Sequence, residues 1–257
     1  ETGRAPQAVA AFESVQAILR KLVDTNPNVT QFQDFLASEL QNAGIAYAKT
    51  GDRAKSLEAY TASRKLLEKL VASDPSAVAL KRALAGTLNN IGDAELSLGR
   101  VSEAREAYTE ARSLLEPLIK AQPGSPQHQQ GLAFSLSGQG RACLQQGQYP
   151  AGAADLRAAI TIWNRLTLST NESLYALAGN HALIAGLAQV PGSGISATEA
   201  ETEAKRAVNC LRKPLQAGYH TVGELRADPD FRALLRRSDF ENMLLDLQFP
   251  QDPFARR

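Results

Sequence analysis

Apolar residues recur every three or four positions through most of this chain, which predicts amphipathic helices rather than strands. One such stripe consists of Val101, Ala104, Tyr108, Ala111, Leu115 and Leu118. A similar stripe precedes it and consists of Leu80, Leu84, Leu88, Ile91 and Leu98. Each stripe places its apolar residues on one side of a helix. The sequence therefore predicts a pair of antiparallel helices between about residues 76 and 121.

The same pattern returns at an interval of 48 residues, so the helix pair is one member of an internal repeat. The interval is marked by three glycine pairs, Gly44/Gly51, Gly92/Gly99 and Gly140/Gly147. The boundaries are marked by Asn26-Pro27, Asp74-Pro75 and Gln122-Pro123. In a solenoid, each repeat buries its apolar face against its neighbours. The sequence predicts an all-α, right-handed α-solenoid of antiparallel helix pairs.

The two glycines of each pair are predicted to have different roles. Gly51, Gly99 and Gly147 follow the first helix of their repeats, where a left-handed residue ends a helix without a Cβ clash. Gly44, Gly92 and Gly140 lie inside that helix, where glycine costs about 1 kcal/mol relative to alanine. We expect close approach of the second helix to offset this cost. The small residues expected to face the gap are Ser56, Ala104 and Gly152.

The repeats predict how the chain is divided. A half repeat at 4–27, complete repeats at about 28–75, 76–123 and 124–171, and a divergent repeat at 172–217 form the predicted solenoid, 4–217. Because residues 4–25 match a second helix without its first helix, we expect a fragment of a longer protein. Residues 218–257 are predicted to form a C-terminal helical cap, with short helices beginning at Asp228-Pro229 and Ser238. Its predicted inward residues are Phe231, Leu234, Leu235, Phe240, Leu244 and Leu247.

Composition narrows the classes of partner. The chain has 28 basic and 27 acidic residues and a formal charge of +1, without a basic stripe for nucleic acid. The local cluster of Arg226, Arg232, Arg236 and Arg237 is interpreted as a solvated face with ordinary ion pairs. No apolar run approaches the roughly 20 residues that span a bilayer. We expect no nucleic-acid partner and no direct membrane contact.

No motif in the sequence favours catalysis, a cofactor or a metal. The three histidines, His128, His181 and His220, are far apart and none has a second ligand at helical spacing. No carboxylate pair stands out for acid–base chemistry. Cys143 and Cys210 are interpreted as buried thiols, with a disulfide between them left open. We expect a chain that is not an enzyme and holds no cofactor.

The order of Leu88, Gly92, Gly99, Ala104, Tyr108 and Ala111 resembles the tetratricopeptide repeat, although the present repeat exceeds that family's usual length of roughly 34 residues. The later stretches Tyr175–Ala178, Pro191–Gly194, Leu225–Phe231 and Asp246–Pro250 resemble the C-terminal region of large planctomycete-type bacterial serine/threonine kinases. This resemblance implies an interaction or regulatory region of a kinase. The chain lacks the glycine-rich loop, the His-Arg-Asp loop and the Asp-Phe-Gly motif of the kinase domain. The resemblance leaves open the cytoplasm and the outer side of a membrane-anchored kinase.

The tetratricopeptide resemblance also implies a concave groove lined by the first helices, which would bind a protein or peptide segment. The residues predicted to line it are Gln41, Lys49, Asn89, Asn90, Asp93, Ser137, Arg141 and Gln145. An asparagine there offers a donor and an acceptor to an extended peptide backbone. A second hypothesis is a structural spacer or dimerisation module that self-associates through the unpaired N-terminal helix.

Overall fold

The computed structural model describes residues 4–166 and 170–248, with side chains from Ser14 to Leu247. The helices are α1 (Arg4–Thr25), α2 (Thr30–Lys49), α3 (Arg53–Ser73), α4 (Val78–Ser97), α5 (Val101–Ala121), α6 (Pro126–Gln145), α7 (Tyr149–Arg165), α8 (Asn171–Gly186), α9 (Ala197–Gln216), α10 (Val222–Ala227) and α11 (Ser238–Gln248). Short 3₁₀ helices span Leu187–Gln189 and Pro229–Leu234. These described ranges contain no strand, which confirms the all-α prediction.

The chain forms two compact bodies, here called the N-terminal body, which ends at Ala142, and the C-terminal body, which begins at Cys143. The N-terminal body contains α1 to α5 and most of α6. The C-terminal body contains α7 to α11 and the two 3₁₀ helices.

Successive helices of the N-terminal body pack in antiparallel pairs. The Ser56 hydroxyl donates to the carbonyl of Gly44 at 2.9 Å, and the Ser63 hydroxyl donates to the carbonyl of Ala37 at 2.8 Å. Residue numbers thus increase along α3 while those of their partners decrease along α2, so the two helices run antiparallel. A shared apolar core between α2, α3, α4 and α5 includes Ala37, Leu67, Leu70, Leu84, Ala85, Leu88, Ala111 and Leu115. This is the consecutive helix pairing that the 48-residue repeat predicts.

The glycines that follow α2, α4 and α6 are in the left-handed conformation. Gly51, Gly99 and Gly147 have φ angles of 83°, 77° and 73°. The next residue then turns back to the helix: the Asp52 amide donates to the Tyr47 carbonyl at 2.9 Å, as does the Arg100 amide to the Glu95 carbonyl. Each of these hydrogen bonds spans six residues and satisfies a carbonyl that the end of the helix leaves unpaired. The predicted capping role of these three glycines is confirmed.

The glycines inside α2 and α4 face tyrosine rings of the second helix. A Cβ at Gly92 would lie 2.5 Å from Tyr108 Cε1, and a Cβ at Gly44 would collide with the ring of Tyr60. Gly138 of α6 approaches the other side of Tyr108 equally closely. The predicted close approach is thus observed at Gly44 and Gly92. The side chains that approach these glycines are the tyrosine rings, in addition to the predicted small residues Ser56 and Ala104.

The end of the described chain packs on α8 and α9 within the C-terminal body. Phe231, Leu234, Phe240 and Leu244 are at most 1% exposed, as the sequence predicts. They share a core with Ala178, Ala182, Ala204, Ala207, Val208 and Leu211, while Leu235 and Leu247 are partly buried at its edge. The 3₁₀ helix begins at Pro229 and α11 begins at Ser238, both at the predicted positions. The predicted cap residues Phe249, Pro250 and 251–257 lie outside the described residues.

Two arginines of the predicted cluster in this C-terminal segment, Arg226 and Arg237, form ion pairs. Arg237 contacts Glu201 of α9 at 2.6 Å and Asp239 at 2.8 Å, and Arg226 contacts Glu241 at 2.7 Å. Hydrogen bonds from Arg237 are the main reason that the pKa of Glu201 is lowered to about 2. These contacts fasten α11 and the preceding turn to α9 and α10.

Candidate functional site

The predicted groove residues differ widely in exposure. Lys49, Asp93 and Gln145 are exposed, and Gln41, Asn90 and Arg141 are partly buried. Asn89 and Ser137 are only 7% and 5% exposed. Gln145 belongs to the C-terminal body, and the other seven residues belong to the N-terminal body.

Asn89 joins α4 to α6 through its side-chain amide. Its Nδ2 donates to the carbonyl of Gly131 at 3.1 Å, and its Oδ1 accepts from the hydroxyl of Ser135 at 2.8 Å. The Ser135 hydroxyl also lies 3.1 Å from the Gly131 carbonyl. Donor and acceptor functions of the Asn89 amide are therefore both used inside the helix packing. This placement differs from the solvent-facing groove position predicted from the sequence.

Gln41 makes the corresponding contacts one repeat earlier. Its Nε2 donates to the hydroxyl of Thr87 and lies 3.4 Å from the carbonyl of Ala83, and Thr87 in turn bonds to Ala83 at 3.0 Å. All three positions precede Asn89, Ser135 and Gly131 by 48 residues. We call this recurring contact the amide clasp. It holds the first helix of one repeat to the first helix of the next.

Ser137 occupies the clasp position of α6 but lacks an amide. Its hydroxyl donates to the carbonyl of Ala133 in its own helix at 2.8 Å. The sequence signal for the clasp was available: an amide residue one position after the repeat leucine, with a hydroxyl residue 46 positions later. Periodicity shows which residues share a face, but it does not show how far a side chain reaches between helices.

Asp93 and Arg141 also occupy equivalent positions of successive repeats, and they form an ion pair. Arg141 Nη2 lies 2.5 Å from Asp93 Oδ1, and the Tyr108 hydroxyl donates to the same oxygen at 2.6 Å. The three residues come from α4, α6 and α5. The structure therefore brings together two of the predicted groove residues and adds Tyr108, which the sequence assigned only to the core.

One repeat earlier, the corresponding surroundings of Tyr60 are different. The residue at the Asp93 position is Ile45, which cannot accept a hydrogen bond, and the residue at the Gly138 position is Asn90. A cleft of about 310 Å³ opens here. It is lined by Ala48, Arg53, Ser56, Tyr60, Asn90, Asp93, Ala94 and Ser97. We call it the Tyr60 cleft.

The Tyr60 cleft combines a buried floor with a polar rim. Tyr60 and Ser56 are 4% and 1% exposed, whereas Arg53 and Asp93 are exposed. Burial is the main cause that raises the pKa of Tyr60 to about 12, so the phenol stays protonated at neutral pH. The rim offers a guanidinium, an amide and a carboxylate that is already paired with Arg141. Such a site can take a polar side chain by hydrogen bonding.

A second polar contact is buried between α8 and α9. His181 Nδ1 contacts Glu203 Oε2, and Glu203 also contacts Arg206 at 2.7 Å. His181 and Glu203 are 3% and 8% exposed. Burial lowers the pKa of the His181 imidazole below its usual value, although Glu203 opposes that change. The contact lies inside the packing of the two helices.

The remaining candidate groups are the two cysteines and the residue types that bind metal ions. Cys143 and Cys210 are thiols rather than a disulfide, and burial raises the pKa of Cys210. Within residues 4–166 and 170–248, no three His, Cys, Asp or Glu side chains are grouped so as to hold a metal ion. In the same ranges, no helix is long and apolar enough to cross a bilayer.

Together, the consecutive helix pairs and the face on α2, α4 and α6 define an all-α helical-repeat protein. The crystal structure of BtubC (BKLC) from P. vanneervenii is similar to this chain, with a TM-score of 0.61 and 16% sequence identity over 98% of this chain and 95% of that one. The de novo designed helical repeat protein DHR64 matches with a TM-score of 0.30 and 13% identity over 86% of this chain and 100% of that one. No family model matches the chain. No curated protein matches it either. The similarity to BtubC concerns the fold alone.

Proposed function

We propose that this chain is a non-catalytic interaction module that binds an extended peptide segment of a partner protein at the face of its first helices, in the cleft between α2, the start of α3 and α4. Helical repeats commonly mediate protein interactions through surfaces of this kind. The observation that carries the proposal is the Tyr60 cleft. It lies where Ile45 and Asn90 depart from the residues that surround Tyr108 in the next repeat.

The chemistry of the cleft favours a peptide with an acidic or amide side chain. Arg53 provides a cationic fork, and Asn90 provides both a donor and an acceptor. Asp93 repels an incoming carboxylate less than a lone carboxylate would, because Arg141 is 2.5 Å away. Exposed Lys49 at the end of α2 adds positive charge to the same face. Asn89 and Gln41 support this face by holding the helices in register rather than by offering free amides.

We further propose that the module is the C-terminal interaction region of a bacterial serine/threonine kinase, on the basis of the four stretches between Tyr175 and Pro250 that resemble such proteins. In that setting the peptide-binding face recruits a substrate or a regulator to the kinase domain. The alternative is a structural spacer or dimerisation module. That alternative would rest on the apolar residues Val15 and Ile18 of α1, which are 41% and 62% exposed.

Selection from a phage-displayed random peptide library tests the peptide-binding proposal. We expect enriched peptides that contain acidic or amide residues and bind the whole chain in a fluorescence anisotropy titration. Arg53→Glu and Asn90→Leu should each weaken binding at least tenfold. Arg82→Glu, an equal charge change at an exposed position of α4, should not.

Two results would count against the proposal. One is a selection that enriches no peptide, and the other is enriched peptides whose affinity is unchanged by Arg53→Glu and Asn90→Leu. Light scattering on the same preparation addresses the alternative, because a concentration-dependent dimer favours the dimerisation module.

A further inference from the structure

The Tyr60 cleft is bounded by polar side chains from two helices. Arg53, Ser56 and Tyr60 of α3 are three and four residues apart, so they lie on one face of that helix. Asn90 and Asp93 lie on one face of α4 for the same reason. An occupant of the cleft therefore meets a cation from α3 and an anion from α4.

These groups have opposite hydrogen-bonding requirements. The Arg53 guanidinium carries only donors, and the Asp93 carboxylate carries only acceptors. The Asn90 amide and the Tyr60 hydroxyl can each donate and accept. A side chain that satisfies both walls at once must therefore present an acceptor and a donor close together. A carboxamide does so, because its oxygen accepts while its nitrogen donates.

Asp93 has the capacity to accept a hydrogen bond from an occupant. Its Oδ1 receives the Tyr108 hydroxyl at 2.6 Å and Arg141 Nη2 at 2.5 Å. A carboxylate has about four lone-pair sites, so these two contacts leave room for a further donor. The Asp93 side chain is 51% exposed and lines the cleft, which makes it accessible to a ligand.

A carboxylate gains less in this cleft than a carboxamide of the same shape. It attracts the Arg53 guanidinium, but it has no hydrogen to donate to Asp93 and is repelled by it. Arg141 weakens this repulsion, because it pairs with the same carboxylate. Removal from water also costs a charged group more than it costs a hydrogen-bonded amide. An ammonium group is disfavoured in turn, since it meets the Arg53 charge and carries no acceptor.

We propose that the Tyr60 cleft binds a glutamine or asparagine side chain of the partner peptide in preference to glutamate or aspartate, and that Asp93 sets this selectivity. The proposal rests on the peptide-binding function proposed above and narrows its choice of side chain. The carboxamide oxygen accepts from Arg53 while its nitrogen donates to Asp93. The same helices already use this chemistry, because the side-chain amides of Gln41 and Asn89 form the amide clasp.

Matched peptide pairs test the selectivity. The peptide of highest affinity from the phage selection is synthesised in two versions, which carry a carboxamide or the carboxylate of equal length at the anchor residue. A double-mutant cycle identifies the anchor as the residue whose replacement by alanine weakens binding to the unmodified chain but not to Asn90→Leu. In fluorescence anisotropy titrations with the whole chain, we expect the carboxamide version to bind at least tenfold more tightly.

Two variants should change the ratio of the two affinities in opposite directions. Asp93→Asn removes the repelling charge, so the preference for the carboxamide should fall at least fivefold. Arg141→Ala removes the cation that offsets Asp93, so the preference should rise, and this variant is informative even if Asp93→Asn does not fold. The matched control is Glu58→Gln, the same carboxylate-to-amide change at an exposed position of α3 outside the cleft, which should leave the ratio unchanged. Circular dichroism melting verifies the fold of each variant.

Failure of the selectivity is distinguishable from failure of peptide binding. Equal or tighter binding of the carboxylate version overturns the selectivity while the Asn90-dependent binding stands. A ratio that is unchanged in both Asp93→Asn and Arg141→Ala overturns the role of Asp93. A selection that yields no Asn90-dependent peptide overturns the peptide-binding function and the selectivity together.

Discussion

Tyr108 donates its hydroxyl hydrogen to Asp93 Oδ1 at 2.6 Å while its ring lies between Gly92 and Gly138. One side chain thus connects α4, α5 and α6. The equivalent Tyr60 faces Gly44, lines the same cleft as Asn90 and belongs to a repeat in which Ile45 stands at the Asp93 position. The two tyrosines occupy the same repeat position, and the surroundings of Tyr60 open into the Tyr60 cleft.

Tyr108→Phe should destabilise the chain by about 1 kcal/mol, because Asp93 loses a hydrogen bond that a phenyl ring cannot replace. Tyr60→Phe is the comparison and should cost less, since it removes a hydrogen bond with the neutral Ser56 hydroxyl rather than one to a carboxylate. Urea unfolding followed by far-UV circular dichroism measures both values. An equal loss in the two variants would show that the Asp93 contact adds nothing to stability.

Gly92→Ala should destabilise the chain by about 2 kcal/mol, because the new Cβ would lie 2.5 Å from Tyr108 and the ring must move. Gly86→Ala is an informative comparison on the same helix. A Cβ at Gly86 meets nothing within 4 Å, so the higher helix propensity of alanine should raise the stability by up to about 1 kcal/mol. Thermal unfolding of the Gly92→Ala and Gly86→Ala variants measures both changes in stability. If Gly92→Ala melts at or above the temperature of the unmodified chain, the close-packing interpretation is wrong.

Asn89→Ala should destabilise the N-terminal body by about 1 to 3 kcal/mol, because the Gly131 carbonyl loses a donor and the buried Ser135 hydroxyl loses an acceptor. Gln41→Ala removes the same clasp at a partly exposed position and should cost less. Chemical denaturation of the two variants gives the difference. A variant Asn89→Ala of unchanged stability would restore the groove role predicted from the sequence.

His181 predicts a pH dependence of the C-terminal body. Burial lowers its folded-state pKa, so the unfolded chain binds the proton more readily, and stability should fall as the pH drops below about 6.5. One such group contributes at most about 1.4 kcal/mol per pH unit. Trp163 is the single tryptophan of the chain and lies in this body, so its fluorescence reports the transition.

The control for this pH dependence is His181→Gln, which keeps a polar side chain beside Glu203 and removes the titration. Its unfolding midpoint should change less than that of the unmodified chain between pH 7 and pH 5. A profile that is equally steep in the variant would assign the pH dependence to other groups.

The sequence predicted those features that depend on local backbone chemistry or on a repeated apolar pattern. The capping glycines Gly51 and Gly99 were identified because only glycine adopts a positive φ at no cost. Phe231 and Phe240 were predicted to face inward from the short helices of the C-terminal cap, and both are 0% exposed.

The predictions that depended on contacts between repeats were less complete. Asn89 was assigned to the groove from its position after Leu88, but its amide donates to the Gly131 carbonyl of α6 at 3.1 Å. The Tyr60 cleft was not predicted, since it results from differences at Ile45 and Asn90 rather than from the repeated pattern. Repetition in a sequence reveals the fold, and departures from repetition reveal the candidate site.

The two kinds of contact between first helices would respond differently to removal of one complete repeat. If residues 53–100 were deleted, Gln41 would take the place of Asn89 relative to Gly131 and Ser135. An amide clasp with the same chemistry could then form again. Arg141, however, would then be matched with Ile45 instead of Asp93. The clasp is thus interchangeable between repeats, whereas the charge pair identifies one particular junction. A shortened chain would fold with its helices in register while leaving an unneutralised arginine at the new junction.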